Sequence, residues 1–248
     1  MPFLRKRSLS DIPPDSESPL AAAIASRDRS TLDIVTESVR HRHAQLAYQP
    51  VLQAQPPQNV AFYEGLIRVL DHDGRVIPAR DFIGLVEATE TGRELDCIAL
   101  NLGLRALACN PSLRLSLNMS ARSIGYRNWM RMLDRHLSQD ETLGERLMLE
   151  ISETSAMSVP ELVTAFMDRL QQYGIAFALD NFGAGTLSFR HFRDFFFDAV
   201  KIDGQFVRGI HADTTNQTLV QALIDVARRF DMLVVAESVQ SVADAEYL

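Results

Sequence analysis

Leu147-Met148-Leu149-Glu150-Ile151-Ser152-Glu153-Thr154 and Ile175-Ala176-Phe177-Ala178-Leu179-Asp180-Asn181 are short apolar runs that end in acids, with the amphipathic stretch Pro160–Tyr173 between them. Runs of this length bounded by polar residues predict buried strands, and a helical pattern joining two of them makes a parallel βα unit. The same rhythm continues in both directions. Further runs cover Ala47–Leu52, Ala61–Val69, Leu113–Asn118, Ala199–Asp203 and Leu233–Ser238, with helical patterns at Asp81–Ala108, Ala121–Leu137 and Thr214–Phe230. Seven such runs are too many for a small open sheet and predict an α/β barrel of the (β/α)8 kind.

The polar residues that end these strands carry the chemistry. They are Glu64, Asn118, Glu150 with Glu153, Asp180 with Asn181, Lys201 with Asp203, and Glu237. A parallel barrel gathers all of those ends on one face, where such folds place their active sites. A polar residue at one strand end is ordinarily a turn former or helix cap. Six strands ending this way point to a shared site. Acid and amide oxygens without a Cys/His cluster select hard cations such as Mg²⁺, Mn²⁺ or Ca²⁺. Two such ions roughly 3.5–4 Å apart can clamp a phosphodiester for in-line attack by water, and a lysine stabilises the developing charge. Glycoside hydrolysis by paired carboxylates is the rival chemistry. It is disfavoured by the Asn and Lys among the acids and by a chain with one Trp and five Tyr, few for a sugar-stacking cleft.

Composition narrows the partners. The 248 residues are 46% hydrophobic and 23% charged, a globular balance. With 25 basic against 32 acidic residues the chain is a poor binder of nucleic-acid polymers, since these are held through phosphate neutralisation. No apolar run reaches the roughly 18 residues of a membrane-spanning helix, and no apolar segment follows the basic Arg5-Lys6-Arg7 cluster. The two cysteines, Cys97 and Cys109, cannot form a disulfide framework and read as helix packing residues, which suits a cytoplasmic protein.

Eight motifs in order from about residue 44 onward resemble those of the EAL domain family. They are Tyr48-Gln49-Pro50-Val51; Glu64-Gly65-Leu66 with Arg68; Asp81-Phe82-Ile83 leading to Glu87; Leu117-Asn118-Met119-Ser120; Leu149-Glu150-Ile151-Ser152-Glu153-Thr154; Ala178-Leu179-Asp180-Asn181-Phe182-Gly183-Ala184-Gly185; Val200-Lys201-Ile202-Asp203; and Val235-Ala236-Glu237-Ser238-Val239. The resemblance implies a modified TIM-like barrel with one antiparallel strand. It also implies binding of cyclic di-GMP or, with two Mg²⁺ or Mn²⁺ ions, its hydrolysis to linear pGpG. On the matching positions, Glu64, Asn118, Glu150 and Asp180 correspond to first-metal ligands, with Asp180 shared with a second metal that Asn181 would also serve. Lys201 and Glu237 correspond to the groups that handle the attacking water, with Asp203 beside them. Arg68 corresponds to the phosphate-gripping arginine, Gln49 and Glu64–Leu66 lie where the ligand docks, and Glu153 anchors the loop after the fifth-strand motif.

Three departures bear on activity. The signature alanine is Gly65, which loosens the strand by about 0.5–1 kcal/mol. The family's second aspartate is Asn181, which keeps one oxygen and removes a full charge, so the second metal site is weakened. The later glutamate of the seventh-strand motif is Gln240, a second lost charge. The resemblance with these changes implies a catalytically impaired receptor acting on a protein partner. An active phosphodiesterase and a purely structural interaction domain are the alternatives.

The domain plan is a flexible arm over 1–19, a helix over 20–43 that either caps the base of the barrel or joins a partner, and the EAL domain over 44–248. The motif count leaves the last strand missing, so a C-terminally incomplete barrel is expected. Phe189, Phe192, Phe195, Phe196 and Phe197 are expected to pack a helix on the barrel, and the resemblance places a homodimer contact in that region. Asp71-His72-Asp73-Gly74 has the composition of a hairpin turn rather than of a metal site.

Overall fold

The computed structural model describes residues 18–55, 59–185 and 194–248. Residues 1–17 of the expected arm, and Phe189 and Phe192 of the aromatic run, lie outside them. Helix α1 spans Pro19–Arg40. It ends three residues before the expected His43 because Arg42 turns left-handed at φ 56° and His43 N donates to Ser38 O at 2.8 Å.

From there β1 (Ala44–Leu52) runs antiparallel to β2 (Val60–Leu70), with Gln49 opposite Glu64. Pro50 is tolerated because β1 is an edge strand. The upper end of β2 folds back onto a short strand missed by the sequence reading, β3 (Val76–Pro78). The turn between them is the expected one. Asp71 Oδ1 accepts from Asp73 N at 2.9 Å and from Arg75 N at 2.8 Å, and Gly74 supplies φ 76°. The expected helix over 81–108 divides into α2 (Ile83–Val86) and α3 (Glu90–Cys109). Then follow β4 (Leu115–Asn118), α4 (Arg127–Leu137), β5 (Leu147–Ser152), α5 (Glu153–Ser158), α6 (Pro160–Gln171), β6 (Ala176–Phe182), β7 (Ala199–Ile202), α7 (Gly204–Val207), α8 (Thr214–Arg229), β8 (Leu233–Ala236) and α9 (Val242–Tyr247).

The sheet order is β1-β2-β4-β5-β6-β7-β8, parallel from β2 to β8, with β3 appended to β2. This is the expected barrel with its antiparallel member. Among the described residues β8 pairs only with β7 and β1 only with β2, so the sheet does not close.

Strand alternation divides the molecule's chemistry in two. Leu115, Leu117, Leu147, Leu149, Ile151, Phe177 and Leu179 are buried in the core shared with the outer helices. The intervening positions, Ser116, Glu150, Ala178 and Lys201, are small or charged and look inward. Trp129 of α4, Phe166 of α6 and Phe177 of β6 form a ladder of ring contacts at 5.6 and 5.9 Å, which fixes two helices on the sheet. Phe195 and Phe197 are buried and touch at 5.4 Å, but they lie in irregular chain before β7 rather than on the expected helix, and Phe196 is exposed. Cys97 is buried in the same core, but Cys109 ends α3 exposed, contrary to the packing expectation for it.

A second, smaller core holds α1. Val35 and Val39 pack with Val69, Phe82, Val86 and Leu95. Since Val69 lies near the C-terminal end of β2, α1 flanks the mouth side of the sheet, and the expectation that it caps the base is corrected.

Candidate functional site

At the C-terminal ends of the strands, four carboxylates from four strands meet one lysine. Lys201 Nζ lies 2.6 Å from Glu150 Oε2, 2.8 Å from Glu237 Oε1, 3.1 Å from Glu64 Oε2 and 3.5 Å from Asp180 Oδ1. Parallel register explains the convergence. Asn118 is level with Glu150, Ser152 with Asp180, and Lys201 with Val235, two residues before Glu237, so alternate residues of adjacent strands face one interior. Asn118 Nδ2 donates to Glu64 Oε1 at 3.0 Å, which brings the β4 amide into the cluster.

The centre of the cluster is buried, with Glu150 and Lys201 1% and 2% exposed, while Glu64, Asp180 and Glu237 are part-exposed around it. Among the described residues four acids surround a single base. Burial pushes Glu150 and Glu237 up to about 7 against the pull of Lys201. Burial also opposes the Lys201 charge, but Glu150, Asp180, Glu64 and Glu237 outweigh it and hold the ammonium above its ordinary range. Among the described residues Glu150 Oε1 is buried without a hydrogen-bond partner, and Asp180 Oδ1 has only the 3.5 Å ion pair with Lys201. A buried oxygen left without a donor is uncommon in folded proteins, and here it lies among hard oxygen donors. That donor set fits a divalent cation such as Mg²⁺ or Mn²⁺.

The other expected residues are distributed around this centre. Gln49 is exposed on β1 and shares the inner face with Glu64; Leu66 and Arg68 continue that face towards the rim. The Arg68 guanidinium donates to the Ile67 carbonyl at 3.0 Å. Glu153, 1% exposed, accepts from Gly183 N at 2.9 Å and so ties the turn after Asp180-Asn181 to the start of α5. A Cβ at Gly185 would strike the same carboxylate. Asn181 sits on a bulge in β6, with φ 57°, and its Nδ2 donates to Asp180 Oδ2 at 2.9 Å. Two residues stand apart from the cluster. Asp203 caps α7, accepting from Gln205 N at 2.7 Å, and Gln240 is exposed beyond Glu237.

The sequence reading overlooked the supports of this site, Asp96 foremost. Asp96 shares a helix face with Gly92, Leu100 and Gly103, so an acid within an otherwise apolar stripe was the available signal. Burial pushes it up to about 7 against the hydrogen bonds it accepts from Ser123 and Ser120.

Known proteins share both the sequence pattern and the fold. A family model for the EAL domain matches residues 33–248. The chain is 26% identical over 211 residues to the cyclic di-GMP phosphodiesterase PdeB of Shewanella oneidensis, covering 84% of this chain and 25% of that protein. It is 30% identical over 207 residues to the cyclic di-GMP phosphodiesterase PdeR of Escherichia coli, covering 81% of this chain and 31% of that protein. The chain thus spans about a quarter to a third of the length of these relatives. The FimX EAL domain of Pseudomonas aeruginosa bound to c-di-GMP superposes with a TM-score of 0.76 at 22% identity, covering 86% of this chain and 87% of that one. The PaMucR phosphodiesterase in its c-di-GMP complex gives 0.73 at 23% identity, covering 88% and 90%. At these identities the structural likeness establishes the fold.

Proposed function

The chain belongs to the EAL domain family, and on that premise we propose that it binds cyclic di-GMP across the strand ends and hydrolyses it slowly, serving as a cytoplasmic receptor that signals to a protein partner. Two of its relatives are named as cyclic di-GMP phosphodiesterases, which supports the ligand. The side chain of Asn181 supports the impairment and is the observation that carries the reading. Where the family has a second aspartate, this residue supplies an amide that donates to Asp180 Oδ2. A charge is missing, and an oxygen of its neighbour is already engaged.

Glu64, Asn118, Glu150 and Asp180 are the residues that would hold a cation. Such an ion supplies Lewis-acid polarisation of a phosphodiester and acidifies water. The chain's own groups do the rest. Arg68 grips a phosphate at the rim, Gln49 and Leu66 flank the bound ligand, and Lys201 orients water while its charge offsets that developing on phosphorus-bound oxygen. Glu237, held near 7, is suited to accept a proton at neutral pH. Glu153 keeps the Asp180-Asn181 turn in place through Gly183 N. A second ion would depend on Asp180 and Asn181, the weakened pair.

Among the described residues no helix is long and apolar enough to cross a membrane. The homodimer expected from the aromatic run is also proposed, with exposed Phe196 as its described contact. Calorimetry with cyclic di-GMP, beside chromatography of released pGpG, tests the main reading. Micromolar binding with little pGpG in either Mg²⁺ or Mn²⁺ is expected. Absence of binding at micromolar protein overturns it.

A further inference from the structure

The turn after β4 is held by side chains from two directions. Asp96, on α3, accepts from Ser120 N at 3.1 Å and from Ser123 Oγ at 2.6 Å through one oxygen. Glu87 accepts from Ser120 Oγ at 3.3 Å. From the β5 side, Ser155 Oγ accepts from Ala121 N and Glu150 O from Met119 N, both at 2.9 Å. Asn118 is the residue that enters this turn.

An acid on the apolar stripe of α3 is costly, because desolvating a carboxylate is unfavourable. What the carboxylate obtains in exchange is two donors of one turn. The arrangement repeats, on the other side of the site, the tie between Glu153 and Gly183 N beyond Asp180. Glu153 is buried and Asp96 half-buried, and each is an acid of a neighbouring helix that accepts from the turn directly after a strand-end residue of the cluster.

We infer that Asp96 is a positioning residue for Asn118: by fixing the Ser120–Ser123 turn it aims the Asn118 amide at Glu64 and at the cation-holding oxygens beside it. This rests on the reading of Asn118 as one of the cation-holding residues. Outer groups that orient a ligand side chain commonly govern metal affinity by about 10–100-fold.

The test uses the full chain and Mn²⁺ alone, titrated by calorimetry. Asp96→Ala is expected to weaken Mn²⁺ about tenfold. Asp96→Asn, which keeps an acceptor for Ser120 N and Ser123 Oγ, is expected to stay near the wild type. In an Asn118→Ala background Asp96→Ala is expected to add nothing, because its effect passes through the amide. An undiminished effect in that background, or none in the wild type, overturns the inference. If Asp96→Ala does not fold, Ser123→Ala removes one of the two bonds and is expected to give a smaller loss that also vanishes without Asn118. Glu150→Gln reports on the cation site itself. Should the wild type fail to bind Mn²⁺, the cation reading falls, and the Asn118 side-chain amide resonance of the metal-free protein then decides. It should shift in Asp96→Ala and return in Asp96→Asn, and an unmoved resonance overturns the role of Asp96.

Discussion

Asn118 and Asn181 are both amides beside a carboxylate at the end of an inner strand, yet they are held differently. Asn118 continues the regular ladder of β4, level with Glu150, and its amide crosses to Glu64 on another strand. Asn181 sits on a bulge at φ 57° and its amide turns back onto Asp180, its own neighbour. The first joins two strands of the cluster. The second spends its donor locally and adds no charge. A left-handed backbone suits Asn or Asp better than other side chains, so the backbone of β6 accepts the carboxylate form, which gives up the bond to Asp180 Oδ2. What separates the two halves is therefore charge at one atom, on a scaffold that can hold either group.

Lys201 is common to both halves, and its loss should be felt most. Lys201→Met leaves four carboxylates facing one another, and breaking a buried pair on one side costs about 3–5 kcal/mol. Urea unfolding of the metal-free protein at pH 8 measures this, and a loss under about 1 kcal/mol would remove the lysine from the centre of the account. The two amides should then part company. Asn118→Ala is expected to weaken Mn²⁺ binding about tenfold and Asn181→Ala by far less, and equal losses would mean that the two amides hold a cation alike.

The pH dependence of stability comes next. In the folded metal-free protein Glu150, Glu237 and Asp96 are raised to about 7, so between the ordinary carboxylate range and pH 7 the folded state binds more protons than the unfolded one. Stability should fall as pH rises through that window, and Glu150→Gln should flatten the slope. A urea midpoint that climbs from pH 5 to pH 8 contradicts this. The smallest effect concerns Gly65, on the reverse of the Glu64 strand. A Cβ there would come within 2.7 Å of Leu117 Cδ2 and 3.3 Å of Leu115 Cδ1. The two leucines fill the space that a methyl would take, so Gly65→Ala should cost about 1 kcal/mol rather than tighten the strand. A rise in thermal midpoint would show the leucines yielding freely.

The strands were legible in the sequence because each pairs an apolar run with a polar end, and one parallel register then gathers Glu64, Glu150, Asp180, Lys201 and Glu237. Features too short or set by distant partners were not legible. β3 is only three residues long, so its run did not register although its turn did, and α1 lies on the mouth side because Val35 and Val39 meet Val69 and Phe82. Asp203 lies two residues after Lys201, a spacing that strand alternation would place on the same face, but β7 ends at Ile202 and the start of α7 turns Asp203 to a capping role. Asp96 was overlooked because its partners, Ser120 and Ser123, are more than twenty residues away along the chain.

The most direct test of the receptor reading compares pGpG release by the wild type and Asn181→Asp, at equal cyclic di-GMP occupancy and with Mn²⁺ or Mg²⁺ in turn. The account predicts slow release by the wild type and at least about a tenfold gain on restoring the carboxylate, equivalent to about 1.4 kcal/mol off the barrier. Rapid turnover by the wild type that Asn181→Asp leaves unchanged would contradict it.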